Sequence, residues 1–557
     1  MTTSELKNTH PCVTLTERRQ EIRMLEKHPI PDRSYIDYEK YQNEIGTASV
    51  KHTISLQATR GCPYNCAYCH KIFSKKHVYR SAKHLLNEIH IYYDMGFKRF
   101  VFIDDVFNLN RKNSSNFFEL LTKHFHDIHL FFPNGVRGDI LTRDYIDLMI
   151  EAGTVGLTLA LETASSRLQQ LIKKQLEIDK LYENIQYIVE KHPQIMIDLF
   201  FMHGFPTESK EEALMTLNFV KSIKWLHFPY FHVLKIFPNT DMEKIALMNG
   251  ISEENILKSF DLAYHELPFT LPFDKKFTLQ CQVEFLGYFL SKERLLHVLP
   301  RQMMLMSEDE IIKKYNSYLP VKINSFSELL QFAGIKKESI SKNDFLKEKN
   351  ISPYNVNDKT RKYFCKKKYR WNPLKILLID LSLFFTSKSD HMLYDTVETP
   401  LGLMYLISYL DKKYGRKING KILKSRIDFD SFFDLKKIIN DFNPNVIGIR
   451  ALTFYRKFFH KTVENIREWE VEAPIIAGGP YATSDYVNLL YDYKIDIAVI
   501  GEGEITFSDI IGRMIDNGGK LPKEHILDQI PGIAYIKNNR ANIYHEEQKK
   551  ITEERKW

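Results

Sequence analysis

From residue 53 the hydrophobic positions switch repeatedly between a period of two and a period near 3.6. TISLQAT (53–59) alternates as a strand does and runs straight into a cluster of cysteines. SAKHLLNEIHIYYDMG follows as a helical pattern ended by Gly96, and KRFVFI (98–103) reads as a buried strand ending at Asp104 and Asp105. The helix NFFELLTKHFHD comes next, then LFFPNGVRGD (130–139) as a strand and its turn. The helix TRDYIDLMIEAG ends at Gly153, and VGLTLAL (155–161) is a strand ending at Glu162. Two helical stretches lead to IMIDLFF (195–201) and HGFPTES. Ser209 and Glu212 have the spacing of a capping box for EEALMTLNFVKSIKW. FHVLKIFPNT (231–240) supplies a sixth strand. Strands that alternate with helices predict parallel pairing in an α/β layer or barrel. In a barrel the chemistry gathers where strands end, and Cys62, Asp104, Asp105, Arg137, Glu162 and His203 all fall just after predicted strands.

The pattern lapses into charged helices over 245–350 and restarts at 374. LKILLID (374–380) predicts a strand, followed by a long loop to Pro400 and the helix LGLMYLISYLDKKYG. NVIGIRA (445–451) continues the strands, PIIAGGPYATS (474–484) and IDIAVIGEGEITF (495–507) each read as a strand and glycine turn, and PGIAYI (531–536) closes the set after the helix SDIIGRMIDNGG. This reads as a second, doubly wound domain. The expected organisation is an N-terminal linker segment over 1–50, a core barrel over 51–260 and a helical extension with a basic linker over 261–372. The second domain occupies 373–540 and a tail 541–557.

Composition narrows the class. No apolar run approaches the length that spans a bilayer, so no membrane partner is expected. The N-terminal stretch lacks an apolar signal region, and six cysteines in 557 residues are not a disulfide framework, which together predict a cytoplasmic location. The net charge of +8 is mild for so long a chain and argues against nucleic acid. The one dense basic run, KTRKYFCKKKYRW (359–371), reads first as a solvated linker and second as a contact for RNA or an acidic partner.

Cys62, Cys66 and Cys69 lie within TRGCPYNCAYCH, residues 59–70. A zinc site would need a fourth ligand, and His70, adjacent to Cys69, is poorly placed to join a tetrahedral ion with it. Three thiolates suit a [4Fe–4S] cluster with one iron left open. The C-x3-C-x2-C spacing after a first strand, with the aromatic Tyr68 before the third cysteine, resembles the radical S-adenosylmethionine superfamily over roughly residues 50–260. That resemblance implies a partial (β/α)6 barrel and reductive cleavage of S-adenosylmethionine to a 5′-deoxyadenosyl radical. It also implies an electron donor such as flavodoxin or ferredoxin. It places Tyr68, Asp104, Asp105, Arg137, Glu162 and His203 around S-adenosylmethionine, although Ile-Asp-Asp stands where Gly-Gly-Glu is common in the family. Four of them also have a plainer reading: a helix cap or ion pair for the two aspartates, a surface ion pair for Arg137, a packed histidine for His203.

The segment 373–540 resembles the cobalamin-binding domain of many such enzymes, through TPLGLMYLISYL, NVIGIRALTF, PIIAGGPYATS and VIGEGEITF. Gly478, Gly479, Gly501 and Gly503 would let backbone approach a large flat ligand, with Thr453, Ser484, Glu502 and Thr506 around it. GEGEIT is only a near match to a dinucleotide fingerprint and follows a late strand, which argues against nicotinamide. The Asp-x-His-x-x-Gly motif that brings histidine to cobalt is absent; the first loop has only Ser389-Asp390-His391. The two domains stand in permuted order relative to that class, which implies that the chain ends lie together. The expected reaction is methyl transfer from methylcobalamin to an unactivated carbon of a small molecule or peptide. Open beside it are radical cyclisation, rearrangement or oxidation without methyl transfer, a methylthiotransferase acting on transfer RNA, and a cofactor-dependent nucleic-acid-binding sensor. The dispersed Cys12, Cys281 and Cys365 do not resemble a second cluster site.

Overall fold

The computed structural model describes residues 13–537, apart from 21, 43, 71–74, 261, 263–265, 320, 341–361, 365–372, 387–395 and 491–493. Cys12, Cys365, the Ser389-Asp390-His391 loop, the tail 541–557 and most of the basic run therefore lie outside the described residues.

Strands β1 to β15 are, in chain order, Val13–Leu15, Thr53–Leu56, Thr59–Arg60, Val78–Tyr79, Arg99–Phe102, His129–Phe132, Thr154–Glu162, Met196–His203, Tyr230–Val233, Leu374–Asp380, Ile418–Lys424, Val446–Arg450, Ile475–Gly478, Ile497–Val499 and Ile533–Ile536. The first large sheet runs β2-β5-β6-β7-β8-β9, every pair parallel and every strand beside its successor in that set. The sheet curls. A flat sheet of six strands would hold β2 and β9 about 24 Å apart at about 4.8 Å per step. Yet the single helix Glu308–Asn316 reaches both ends. Its Glu310 accepts from the Lys51 amide beside β2 and pairs with Arg99 of β5 at 3.0 Å. Lys314, one turn later, bonds Tyr230 of β9. The helical extension thus closes one end of a partial barrel, a role its charged sequence does not announce.

The second sheet runs β11-β10-β12-β13-β14-β15-β1. β10 to β14 are mutually parallel where they pair, whereas β15 and β1 add antiparallel edges. Both faces are covered. Ile376 and Leu378 enter one apolar core, and Leu377 and Ile379 the other. That is why LKILLID is an unbroken apolar run. The chain reverses its direction of travel across the sheet at β10, between β11 and β12, and the crevice at the carboxyl ends there is where such sheets take ligands.

Several expectations need correction. β11, INGKILK, is an edge strand whose apolar run is broken by Asn419, Gly420 and Lys421, so the sequence reading passed over it. The stretch 474–484 is a strand only to Gly478, then the short helix Gly479–Ser484. The stretch 495–507 is a strand only to Val499, because a helix starts at Gly503 with Glu502 as its N-cap. The N-terminal segment is more than a linker. Its β1 pairs with β15, Arg19 pairs with Asp509 at 2.5 Å, and buried Arg33 pairs with Glu88 of the barrel at 3.0 Å. The two described ends of the chain therefore meet in one sheet, as the permuted order implies. Glu398 completes the docking, accepting from the Thr47 amide at 2.7 Å and from the Ser55 hydroxyl at 2.8 Å.

Candidate active site between the two sheets

The cysteine loop leaves β3 at Gly61, whose φ of +83° suits glycine. The loop is tied to the end of β5. Asp104 accepts through Oδ1 from the amides of Ala58 and Thr59 and from the Thr59 hydroxyl at 2.8 Å. Its Oδ2 is buried without a hydrogen-bond partner, and burial pushes the carboxyl up to about 7. Asp105 accepts from the Gly61 amide at 3.0 Å, and burial raises it as well. Both aspartates thus hold the base of the loop. On its far side the Ala67 amide donates to Ile172 O and the Ala67 carbonyl accepts from Met242, each at 2.8 Å.

Cys62 and Cys66 are half-buried and Cys69 is exposed, all as free thiols. Burial pushes Cys62 up to about 11, and the nearness of Cys66, Asp105 and Cys69 adds to it. Burial also raises Cys66, against the pull of Lys174 and a hydrogen bond from Tyr68. The three thiols therefore lie near one another. Among the described residues no three His, Cys, Asp or Glu groups converge as ligands of a single ion. Ligands of three different irons in one cluster stand farther apart than ligands of one ion. Three neighbouring thiols, one of them open to solvent, are thus a fitting donor set for a cluster.

Beside the thiols, Glu162 receives the Tyr68 hydroxyl at 2.9 Å and Lys174 Nζ at 2.6 Å. Glu162 holds φ +67° where the β7–β8 register slips. Buried Gln169 fixes this bend by donating to Leu161 O and Thr163 O at 2.8 and 2.7 Å. Lys174 escaped the sequence reading because Lys173 beside it is chemically the same; Lys173 instead pairs with Asp241 at the surface. Arg137 is fully engaged elsewhere. It grips Asp139 through Nε and Nη2 at 2.8 and 3.0 Å, donates to Lys174 O and Gln175 O, and lies 3.9 Å over the Tyr64 ring of the cysteine loop. His203 is a packed histidine: it bonds Thr278 Oγ1 at 3.0 Å among Phe231, Phe273 and Phe277, and burial lowers it to about 4.

A cavity of about 290 Å³ lies at the carboxyl ends of β12, β13 and β14, against the barrel. Gly478, Gly479, Gly501, Glu502 and Gly503 line it, together with Arg60, which carries the cysteine loop. A Cβ added at Gly478 or Gly501 would meet nothing within 4 Å and would project into open space. This is a cradle for a flat ligand, as cobalamin requires. The remaining three predicted contacts do not line the cavity. Thr453 and Ser484 bond each other at 3.4 Å, and Thr506 accepts from Arg19 at 2.8 Å and donates to Pro531 O. The barrel's contributions, Gln57 and Arg60, had no signal in the second domain's motifs.

Residues 56–220 match the family model of the radical SAM superfamily, and residues 394–511 match that of the B12 binding domain. An uncharacterized methyltransferase, PH0819 of Pyrococcus horikoshii, is 25% identical over 233 residues, 41% of this chain and 49% of that protein. A tRNA-2-methylthio-N(6)-dimethylallyladenosine synthase of Buchnera aphidicola is 25% identical over 38% of this chain and 51% of its own. The bacteriochlorophyllide d C-12(1)-methyltransferase of Chlorobaculum tepidum is 24% identical over 34% of this chain and 41% of its own. The chain thus spans about half the length of the curated relatives it matches. Among solved structures, the methyltransferase TsrM of Kitasatospora setae aligns at a TM-score of 0.34 and 17% identity, over 38% of this chain and 41% of TsrM. The two family models imply a [4Fe–4S] cluster, S-adenosylmethionine and cobalamin as cofactors.

Proposed function

We propose that this chain, which carries a radical SAM domain followed by a B12-binding domain, is a cobalamin-dependent radical S-adenosylmethionine methyltransferase. The observation that carries the reading is adjacency: Arg60, two residues before Cys62, lines the glycine cavity of the other sheet.

Cys62, Cys66 and Cys69 would hold the cluster, and Gly478, Gly479, Gly501 and Gly503 would seat the corrin. When bound, these groups supply the electron that cleaves S-adenosylmethionine to a 5′-deoxyadenosyl radical and the methyl group that is transferred. The chain's own part is placement. Asp104 and Asp105 fix the loop's entry, and the Tyr68–Glu162–Lys174 set fixes its exit. Glu162 and Lys174 together offer one carboxylate and one ammonium, complementary to the amino and carboxylate groups of a methionine moiety. Arg137 supports this arrangement from behind, through Tyr64 and the Lys174 carbonyl.

The substrate is a small molecule or peptide with an unactivated carbon, and a flavodoxin or ferredoxin is the matching class of electron donor. The free thiols of the described cysteines fit a reducing cytosol, and among the described residues no helix is long and apolar enough to cross a membrane. The test is anaerobic reconstitution with iron, sulfide and hydroxocobalamin, then reductant and S-adenosylmethionine labelled in its methyl group. Label in methylcobalamin together with 5′-deoxyadenosine is the expected result. Formation of 5′-deoxyadenosine with no bound corrinoid would replace it by a radical reaction without methyl transfer.

A further inference from the structure

Arg60 stands where the two candidate cofactor sites meet. It ends β3, so its backbone leads directly into Gly61 and Cys62. Its side chain points the other way, into the second domain. Nη2 pairs with Glu504 at 2.6 Å and Nη1 with Glu502 at 3.3 Å. Nε donates to Gln57 Oε1 at 2.9 Å, and the guanidinium lies 5.2 Å over the Tyr405 ring. The Arg60 and Glu504 side chains are each only 6% exposed. The two carboxylates flank Gly503 at the start of the helix Gly503–Asp516, on the loop that lines the cavity. Glu502 is held from a third side by the Ile22 amide at 2.8 Å.

A guanidinium buried between two carboxylates does not let either one go at low cost, because a buried charge left alone is strongly destabilising. The glycine loop and the base of the cysteine loop are therefore mechanically joined. A ligand in the cavity binds the docked arrangement of Gly501–Glu504, and cluster ligation fixes the loop that begins at Arg60. Each favours the same docked state, and a ligand that prefers one state raises its population for the other ligand.

We infer that Arg60 is a positioning residue that couples the two sites, so that filling either one tightens the other. The inference rests on the two-cofactor reading above. By linkage the effect is reciprocal and is read as a ratio of dissociation constants. Hydroxocobalamin binding is measured by anaerobic equilibrium dialysis, with cobalt quantified, on the full chain without and with its cluster. The wild-type protein is expected to bind at least about five-fold more tightly when cluster-loaded, the low end of typical coupling. Arg60→Gln and Glu504→Gln are expected to bring that ratio to about one, with iron content per chain unchanged. If either variant fails to fold, Glu502→Gln, which alters the longer and more exposed of the two pairs, decides the question.

A wild-type ratio of about one overturns the coupling and leaves the two-cofactor reading standing. Failure of both wild-type forms to bind corrinoid overturns both. An undiminished ratio in the folded variants overturns the assignment to Arg60.

Discussion

Lys173 and Lys174 are neighbours of identical chemistry with different surroundings. Lys173 pairs with Asp241 while 48% exposed; Lys174 pairs with Glu162 with both side chains about one-tenth exposed. Exposed pairs contribute about 0–1 kcal/mol, whereas breaking a buried pair by removing one partner costs about 3–5 kcal/mol. Lys174→Met is therefore expected to lower the midpoint of chemical unfolding markedly, and Lys173→Met to leave it nearly unchanged. Equal effects would remove Lys174 from its assigned place. Glu208 gives a pH prediction at the same scale. Its carboxylate accepts from the amides of Gly204 and Phe205, yet burial pushes it up to about 8. A carboxyl raised in the folded state stabilises in acid, and that contribution fades as pH rises through the folded value. Thermal stability should fall between about pH 5 and pH 8 and level off above that, and Glu208→Gln should flatten the fall. Burial pushes Asp198 up to about 7, so part of the slope should remain in that variant. At this scale the sequence was legible where chemistry is local. The three cysteines announce themselves within eight positions, and Glu162, read at a strand end, meets Tyr68 of the cysteine loop. Arg137 and His203 fell at the right strand ends, but Asp139 and Thr278 satisfy them, and no spacing rule identifies those partners.

The elements that sequence shows best are those buried on both faces. LKILLID is apolar because both faces of its sheet are covered, and VGLTLAL because most of its length is buried in the barrel. Edge strands escape this rule. β11 is half polar, and β1 has only three residues, so tertiary pairing rather than local pattern makes them strands. In the turn after β14, Gly501 and Glu502 lead straight into a helix that starts at Gly503, earlier than the pattern SDIIGRMIDNGG suggested. The glycines around that turn allow a clean test. Gly478 has φ −149°, which any residue adopts, and its missing Cβ faces open cavity. Gly478→Val should leave folding stability within about 1 kcal/mol, because it neither strains backbone nor disturbs packing. It should weaken corrinoid binding at least about ten-fold, or about 1.4 kcal/mol. Unchanged corrinoid affinity in this variant would move the ligand away from the β13 end.

At the scale of the whole molecule, the barrel and the second sheet are joined by contacts between residues far apart in the chain. Arg60 and Glu502 are separated by 442 positions, and Ser55 and Glu398 by 343. No sequence window holds such pairs, so the docking could be expected only from domain order and had to be located in the fold. The N-terminal segment acts as a strap, with β1 on the second sheet and Arg33 in the barrel. Removing residues 1–20 deletes β1 and Arg19, which exposes the edge of β15 and leaves Asp509 without its arginine. The truncated protein should keep the barrel's cluster-binding cysteines but show faster proteolysis within 373–537 than the intact chain. Equal proteolysis would mean that the strap is dispensable.

The central claim is that one chain holds an iron–sulfur cluster and a corrinoid against each other across the Arg60 junction. The most direct measurement is iron, sulfide and cobalt per chain after anaerobic reconstitution and gel filtration, for the wild-type protein and for Cys62→Ala/Cys66→Ala/Cys69→Ala. The wild-type protein is expected to retain about four iron, about four sulfide and about one cobalt, and the triple variant to lose the iron and sulfide while keeping cobalt. Iron retained by the triple variant, or cobalt absent from the wild type, would contradict it.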